Sequence, residues 1–176
     1  MKKVSFTESS SPHSRWMSVN NAMTKDVISV KGQSKVRDAW LVLMEQDISG
    51  APVVDESGTL VGVLSVTDIY RSIVDRIQKA RSLREATIAA TDPGAEDKEE
   101  LRELSLAIRA VAEATVMSIL PKDQKVFSLS PEDSLDRAIR LIAEHSVNRL
   151  PIVKDGKVVG IITRQDIIWI MAGRPG

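Results

Sequence analysis

Hydroxyl and carboxylate side chains occur together twice in this chain, each time where a predicted strand gives way to a predicted helix. The residues are Ser65, Thr67 and Asp68 in the first group, and Thr163, Gln165 and Asp166 in the second. The free N–H groups and the dipole of a helix N-terminus favour an anion. An ionised Asp has two acceptor oxygens and can take both hydrogens of a vicinal diol such as that of a ribose. The same residue types are common as plain helix caps, so both interpretations stay open from these residues alone.

The two groups lie inside a duplicated stretch of sequence. Residues 52–69 read PVVDESGTLVGVLSVTDI and residues 151–167 read PIVKDGKVVGIITRQDI, so the second copy has one turn residue fewer. Upstream, DVISV (26–30) matches KVFSL (125–129). The period of about 100 residues exceeds the ~20–50 residues of a solenoid repeat. The sequence therefore predicts two copies of one small α/β unit.

Each copy is predicted to have the order β-α-β-β-α, from the apolar periodicity and the turn residues between the elements. In the first copy the predicted elements are strands at 27–30, 48–54 and 60–65, a helix with Ser34 as its N-cap, and a helix from Thr67 to Ile77. In the second copy they are strands at 126–129, 150–153 and 158–163, a helix capped by residues 130–133, and a helix from Gln165.

The unduplicated stretch 78–112 is predicted to be helical. Asp92 and Pro93 form a normal helix start. An apolar stripe follows, made of Leu101, Leu104, Ile108 and Val111. Two interpretations remain: a connector helix that lies on the core, or a surface for a partner or for dimerisation.

Composition and charge exclude several classes of protein. The 176 residues are 43% hydrophobic, and Lys+Arg and Asp+Glu both total 24, so the net charge is zero. A nucleic-acid partner, which usually needs a basic excess, is not expected. The chain has no cysteine, two histidines and no apolar run near the ~18 residues of a membrane span. We expect no metal site, no membrane association and a cytoplasmic location. The sequence also has no P-loop and no G-x-S-x-G nucleophile motif.

The matched residues resemble a tandem pair of cystathionine-β-synthase (CBS) domains, often called a Bateman module. The resemblance is carried by GVLSVTD (62–68) and GIITRQD (160–166), and by the preceding segments SGAPVVD and NRLPIVK. It covers about residues 17–77 and 113–172. Outside it lie an N-terminal tail at 1–16, which is expected to be flexible, the insert at 78–112 and a C-terminal tail at 173–176. The resemblance implies an α/β fold of two units that are related by a pseudo-twofold axis and packed as one module.

The resemblance also implies two ligand clefts between the repeats, each for an adenine nucleotide or adenosyl compound such as AMP, ADP, ATP or S-adenosylmethionine. One cleft is expected to combine Thr24, Ile28, Ile48, Ser49, Gly50 and Ala51 with Ile161, Thr163, Gln165 and Asp166. The other is expected to combine Lys125, Phe127, Val147, Asn148, Arg149 and Leu150 with Val63, Ser65, Thr67 and Asp68. Apolar walls suit a flat purine, although Ile28 and Phe127 also fit a simple inward-facing strand position.

Phosphate groups on such a ligand need cations, and Arg149 and Arg164 are the candidates because a guanidinium binds phosphate oxygens in a bidentate fork. Lys125 is a further cation of this kind. The first copy has Gly50 and Val66 where the second has these arginines. The two clefts are therefore not expected to be equivalent.

The sequence thus predicts a regulatory module that senses an adenosyl ligand and signals by conformational change to a separate effector protein. We expect a homodimer, no obligatory cofactor and no catalysis. Three alternatives remain: a structural homodimeric scaffold with vestigial clefts, an enzyme that turns over its nucleotide, and a nucleic-acid-binding protein.

Overall fold

The computed structural model describes residues 18–87 and 96–173. The predicted tail at 1–16, residues 174–176 and the predicted helix start at Asp92 and Pro93 lie outside these ranges. The strands are β1 (Val30–Lys31), β2 (Gly50–Val54), β3 (Leu60–Ser65), β4 (Arg149–Lys154) and β5 (Lys157–Thr163). The helices are α1 (Val36–Glu45), α2 (Val66–Thr87), α3 (Glu96–Ala112), α4 (Val116–Ile119), α5 (Leu135–His145) and α6 (Arg164–Met171). A single 3₁₀ turn (Val19–Asn21) precedes β1.

The chain divides into two compact units. Among the described residues, the first-repeat unit comprises 28–87 and 96–126, and the second-repeat unit combines 18–27 with 127–173. The segment leading into each repeat thus belongs to the unit built around the other repeat. Val19 is buried in the core of the second-repeat unit, and Val116 in that of the first. The boundaries predicted at 17–77 and 113–172 describe the repeats along the sequence, whereas these units describe packing.

The first-repeat unit contains a three-stranded sheet. β1 runs parallel to β2, with Val30 opposite Val53, and β2 runs antiparallel to β3, with Gly50 opposite Ser65. Every residue of β2 is buried, because helices cover the sheet and its apolar side chains form the core with α1. The predicted mixed α/β class is confirmed.

The second-repeat unit contains the hairpin of β4 and β5, with Arg149 opposite Thr163. The predicted strand at 126–129 is wrong, because only Leu129 bridges to β4, opposite Ile152. The strand predicted at 27–30 is likewise reduced to β1. Val126 and Ser128 are exposed and Leu129 is buried. Burial of an apolar side chain therefore favours pairing with the sheet at the last residue of this segment.

The helix caps differ from the predicted ones. Lys35, not Ser34, is the N-cap of α1, and the Ser34 hydroxyl instead donates to the Lys31 carbonyl over 2.6 Å. The N-cap of α5 is Ser134, whose side chain accepts from the Arg137 N–H. A cap depends on where the helix enters the packed structure, so several neighbouring polar residues are equivalent by sequence alone.

The helix that follows β3 is longer than predicted and continues as α2 to Thr87. It packs against α3, and the contact carries ion pairs from Arg81 to Glu100 (2.7 Å) and from Arg84 to Glu103 (3.4 Å). Of the predicted apolar stripe on α3 only Val111 is buried, because only the end of the helix reaches the core; Leu101 and Ile108 stay exposed.

The end of α3 is tied to the start of α1 by Glu113. This carboxylate pairs with Lys35 (2.5 Å) and Arg37 (2.5 Å). The hydrogen bond from Lys35, with the charge of Arg37, lowers the pKa of Glu113 below its usual range. Among the described residues, no helix is both long enough and apolar enough to cross a membrane.

Two glycines, Gly160 and Gly62, lie where the segment before each repeat passes over a hairpin, at Met23 and at Leu120. A Cβ on Gly160 would overlap Met23 Sδ and lie 2.9 Å from Met23 Cγ. A Cβ on Gly62 would lie 2.5 Å from Leu120 Cδ1 and 3.2 Å from Gln124 Oε1. The matching glycines of the two repeats are thus needed for the same close approach of a long side chain to β5 and β3.

Gly160→Ala is expected to lower the free energy of unfolding by about 1–3 kcal/mol, the usual cost of overpacking. Met23→Ala removes the clashing Sδ and Cγ atoms, so the double variant should recover part of this loss. Urea denaturation of the wild type, both single variants and the double variant measures the coupling. Strict additivity of the two changes would contradict the proposed contact.

Candidate functional site

Asp166 closes the N-terminus of α6. Its Oδ2 accepts from the Thr163 N–H (2.7 Å) and from the Thr163 hydroxyl (2.7 Å), and the Thr163 Oγ1 accepts from the Asp166 N–H (3.3 Å). This is a reciprocal capping box. Asp166 is half-buried. No described residue makes a hydrogen bond to its Oδ1, so this oxygen remains an acceptor for a ligand.

Asp68 makes the equivalent arrangement at the start of α2. Its Oδ2 accepts from the Ser65 N–H (2.9 Å) and from the Ser65 hydroxyl (2.5 Å). The residue is only 9% exposed. Arg71 donates to Oδ1 over 3.3 Å, from a side chain that is itself exposed. Both carboxylates therefore do cap helices, and each keeps lone pairs beyond the cap.

The residues that precede β2 and β4 lie beside these caps, within the same unit. The Val66 N–H donates to the Ser49 carbonyl (3.0 Å), and the Arg164 N–H donates to the Asn148 carbonyl (3.0 Å). The structure thus brings Ser49 and Gly50 to Ser65, and it brings Asn148 and Arg149 to Thr163. We call these arrangements the first corner (Ser49, Gly50, Val63, Ser65, Thr67, Asp68) and the second corner (Thr24, Asn148, Arg149, Ile161, Thr163, Asp166). The predicted combinations of residues from both units stay predictions.

Several predicted site residues have side chains that belong to the cores. Ala51 and Leu150 are 0% exposed, so their side chains do not face a ligand in this structure. Ile28, Ile48 and Val147 are half-buried. The exposed members of the predicted set are Thr24, Ser49, Thr67, Lys125, Asn148, Arg164 and Gln165.

Phe127 has a partner that the sequence analysis did not assign to it. Its ring packs against the core of the second-repeat unit, and the His145 imidazole stacks on it with 4.1 Å between ring centroids and 12° between planes. A purine that used the predicted Phe127 wall would meet His145 there. The two residues are 18 positions apart in sequence, and no local spacing rule connects them.

The outer edges of β3 and β5 are closed by different groups. On β5, Thr24 and Ile161 exchange backbone hydrogen bonds of 2.9 and 3.0 Å. On β3, the side chain of Gln124 makes both contacts to Val63: Oε1 accepts from the N–H (3.0 Å) and Nε2 donates to the carbonyl (2.9 Å). Gln124 is not among the predicted site residues. The sequence signal for it is Pro121, which precedes the second repeat at the position that Thr24 has before the first.

The described residues also form an apolar groove of about 460 Å³ in the first-repeat unit, lined by Trp40, Leu41, Tyr70, Ile73, Ile108 and Val111 among others. Trp40 and Tyr70 meet edge to face there, with ring centroids 5.5 Å apart. In the described ranges no group of three or more His, Cys, Asp or Glu residues could hold a metal ion.

The fold and the two corners define a duplicated α/β protein in which each unit has one carboxylate that caps a helix. Comparisons with known proteins identify the family. The family model of the CBS domain matches residues 19–75 and 116–173, more than half of the chain. The CBS domain-containing protein CBSX1, chloroplastic, from Arabidopsis thaliana is 30% identical over 166 residues, which are 93% of this chain and 67% of that protein. The chain belongs to the CBS domain family and carries two copies of the domain.

Solved structures agree with this assignment. The CBS domain of a CBS domain containing membrane protein from Sphaerobacter thermophilus has a TM-score of 0.65 and 27% identity, and the match covers 89% of this chain and 88% of that one. The crystal structure of CBSX2 in complex with AMP has a TM-score of 0.62 and 26% identity, with coverage of 89% and 96%. The described chain therefore has the fold of a CBS-domain pair.

Proposed function

We propose that this protein is a regulatory ligand-binding module that senses an adenine nucleotide or an adenosyl compound. The observation that carries the proposal is the pair of corners, where an Asp carboxylate sits at a helix N-terminus with acceptor capacity beyond its cap. A similar CBS structure, CBSX2, is a complex with AMP. This likeness supports AMP as the first ligand to test.

In this proposal the ribose of the ligand binds to the Asp carboxylates. The cap bonds use Oδ2, so the hydrogens of a vicinal diol would bind to Oδ1 of Asp166 and to the remaining lone pair of Asp68 Oδ1 beside Arg71. Hydrogen bonds to a charged group are each worth about 1.5–3 kcal/mol. The ribose is thus the part of the ligand that these residues recognise most strongly.

Phosphate groups would bind to the second corner in preference to the first. Arg149 lies opposite Thr163 and Arg164 follows it, whereas Gly50 and Val66 hold these places in the first-repeat unit. The second corner therefore suits a ligand with more negative charge. This difference favours unequal affinities at the two corners.

Ligand binding at the first corner would change the conformation of α2. Asp68 lies in the first turn of this helix, which is 22 residues long and packs against α3. A ligand shifts a conformational equilibrium only by its differential affinity for the two states. Binding at Asp68 would thus act on the α2–α3 pair, which we propose as the surface that contacts an effector protein.

A structural scaffold is the second candidate, and the apolar groove on α1, α2 and α3 favours it. Leu41 and Tyr70, at the rim, are 56% and 54% exposed. A homodimer formed through this face would bury them, with or without a ligand. The scaffold and the sensor differ in one property, which is whether adenosyl compounds bind.

Thermal unfolding against AMP, ADP, ATP, S-adenosylmethionine, NAD and GTP tests the proposal. A ligand at about 100 times its dissociation constant stabilises the folded state by ~2.7 kcal/mol. We expect a rise in Tm with at least one adenine compound and none with GTP at equal concentration. Absence of any shift, together with no heat of binding in calorimetry, would leave the scaffold as the better account.

A further inference from the structure

The edge of β3 is closed by a side chain where the edge of β5 is closed by backbone. Val63 and Ile161 each follow the matching glycines of the repeats. Ile161 is bonded to the backbone of Thr24, and Val63 is bonded in the same donor and acceptor pattern to the carboxamide of Gln124. The two units thus offer the same backbone groups to different partners.

Pro121 explains the difference. Met23 crosses Gly160 and is followed by Thr24, while Leu120 crosses Gly62 and is followed by Pro121. Proline has no N–H, so it cannot donate to the Val63 carbonyl as Thr24 donates to Ile161. The Gln124 N–H bonds to the Pro121 carbonyl (3.0 Å) in a turn, and its side chain reaches back to β3. A carboxamide supplies the missing donor and acceptor.

Gln124 and Asp68 occupy neighbouring positions on one edge. Backbone groups two residues apart on a strand point in the same direction, about 6.6–6.8 Å apart along it. The Val63 N–H therefore points to the same edge as the Ser65 N–H, which Asp68 accepts. The backbone N–H and carbonyl of Val63 thus lie next to the Asp68 carboxylate. Their spacing is comparable to the distance between the base and the ribose of a nucleoside.

The carboxamide of Gln124 offers Val63 one acceptor and one donor side by side, and the edge of adenine offers the same pair. Adenine offers an acceptor at N1 and a donor at its 6-amino group, side by side. We propose that the Val63 backbone edge reads the base of an adenine ligand and that Gln124 is a built-in competitor which the base displaces. The inference rests on the proposed function and assigns base recognition to the first-repeat unit.

The β5 edge does not offer the same exchange. Displacing Thr24 would require the leading segment to leave its unit, and Val19 anchors that segment at 0% exposure. Gln124 can leave by rotation of its own side chain, and it is only half-buried. When a site is open for only a fraction of the time, its apparent dissociation constant is the intrinsic one divided by that fraction. Gln124 therefore lowers the apparent affinity for adenine.

The test compares AMP binding to the wild type, Gln124→Ala and Gln124→Met by calorimetry, with thermal unfolding of each protein alone. Both variants remove the two competing hydrogen bonds, and methionine keeps the side-chain length. We expect AMP to bind roughly five- to hundred-fold more tightly to either variant, from ~0.5–1.5 kcal/mol for each neutral hydrogen bond. Purine riboside monophosphate, which lacks the 6-amino donor, should gain less.

Ser118→Ala is the matched control, because Ser118 is exposed on the same segment before the second repeat and its hydroxyl donates to the Thr115 carbonyl, not to Val63. It should leave AMP affinity unchanged. If the wild type binds AMP and both Gln124 variants bind it equally or more weakly, the competitor role is wrong while the proposed function stands. If neither the wild type nor any variant binds AMP or another adenine compound, the proposed function and this inference both fail.

Discussion

Asp68→Asn is expected to weaken AMP binding by about 10- to 100-fold. Asparagine has one acceptor oxygen where aspartate has two, so the ribose diol loses one hydrogen bond to a charged group, worth about 1.5–3 kcal/mol. The remaining oxygen can still accept from the Ser65 N–H, which Asp68 accepts over 2.9 Å. The free energy of unfolding should therefore fall by only about 1–2 kcal/mol. Calorimetric titration with AMP, beside urea denaturation of the free protein, separates the two effects.

Asp166→Asn is the internal comparison, because Asp166 makes the same cap on α6. If base recognition uses Val63, Asp68→Asn should lose more AMP affinity than Asp166→Asn. A loss confined to Asp166→Asn would contradict the assignment to the first-repeat unit. Full affinity in both variants would contradict the ribose role and leave both carboxylates as caps alone.

Leu64→Ala is expected to lower the free energy of unfolding by about 2–5 kcal/mol, the range for a large aliphatic residue removed from a core. Leu64 is 0% exposed and lies in the core of the first-repeat unit with Ala51 and Val53. Its loss leaves a cavity between the sheet and the helices that cover it. Urea denaturation followed by circular dichroism measures the change.

Leu41→Ala provides the control for residue type, since Leu41 is 56% exposed. In the monomer this change should alter the free energy of unfolding by less than about 0.5 kcal/mol. An equal effect of the two substitutions at low protein concentration would contradict the assigned core. An effect of Leu41→Ala that grows with protein concentration would instead indicate that the groove is covered in an oligomer.

Residues that match between the repeats have different hydrogen-bond partners in the tertiary structure. A substitution can therefore act on one repeat and leave the other unchanged. Val63 and Ile161 match in the sequence, yet one is bonded to a side chain and the other to backbone. The substitution that opens one edge has no counterpart at the other. The two corners can therefore be tested independently.

The sequence by itself determined the duplication, the two β-hairpins and the corner residues. These features are local: two short apolar runs on either side of a glycine turn produce a hairpin, and Ser65 caps its helix with Asp68 three residues later, as Thr163 does with Asp166. The predicted strand at 60–65 coincides with β3, and Gly50 pairs with Ser65 as Arg149 pairs with Thr163. Local patterns define such elements because all their partners lie within about 20 residues.

Only the tertiary structure decided which segments exchange between units, which polar residue became each cap, and how far α2 extends. It also decided that Gln124 bonds to Val63, 61 residues away, and that His145 stacks on Phe127. Each of these contacts joins positions that no periodicity relates. Gln124 bonds to Val63 because Pro121 lacks the N–H that would otherwise donate there, and His145 stacks on Phe127 because one face of that ring is available after the core has packed. Both conditions arise only when the chain is folded.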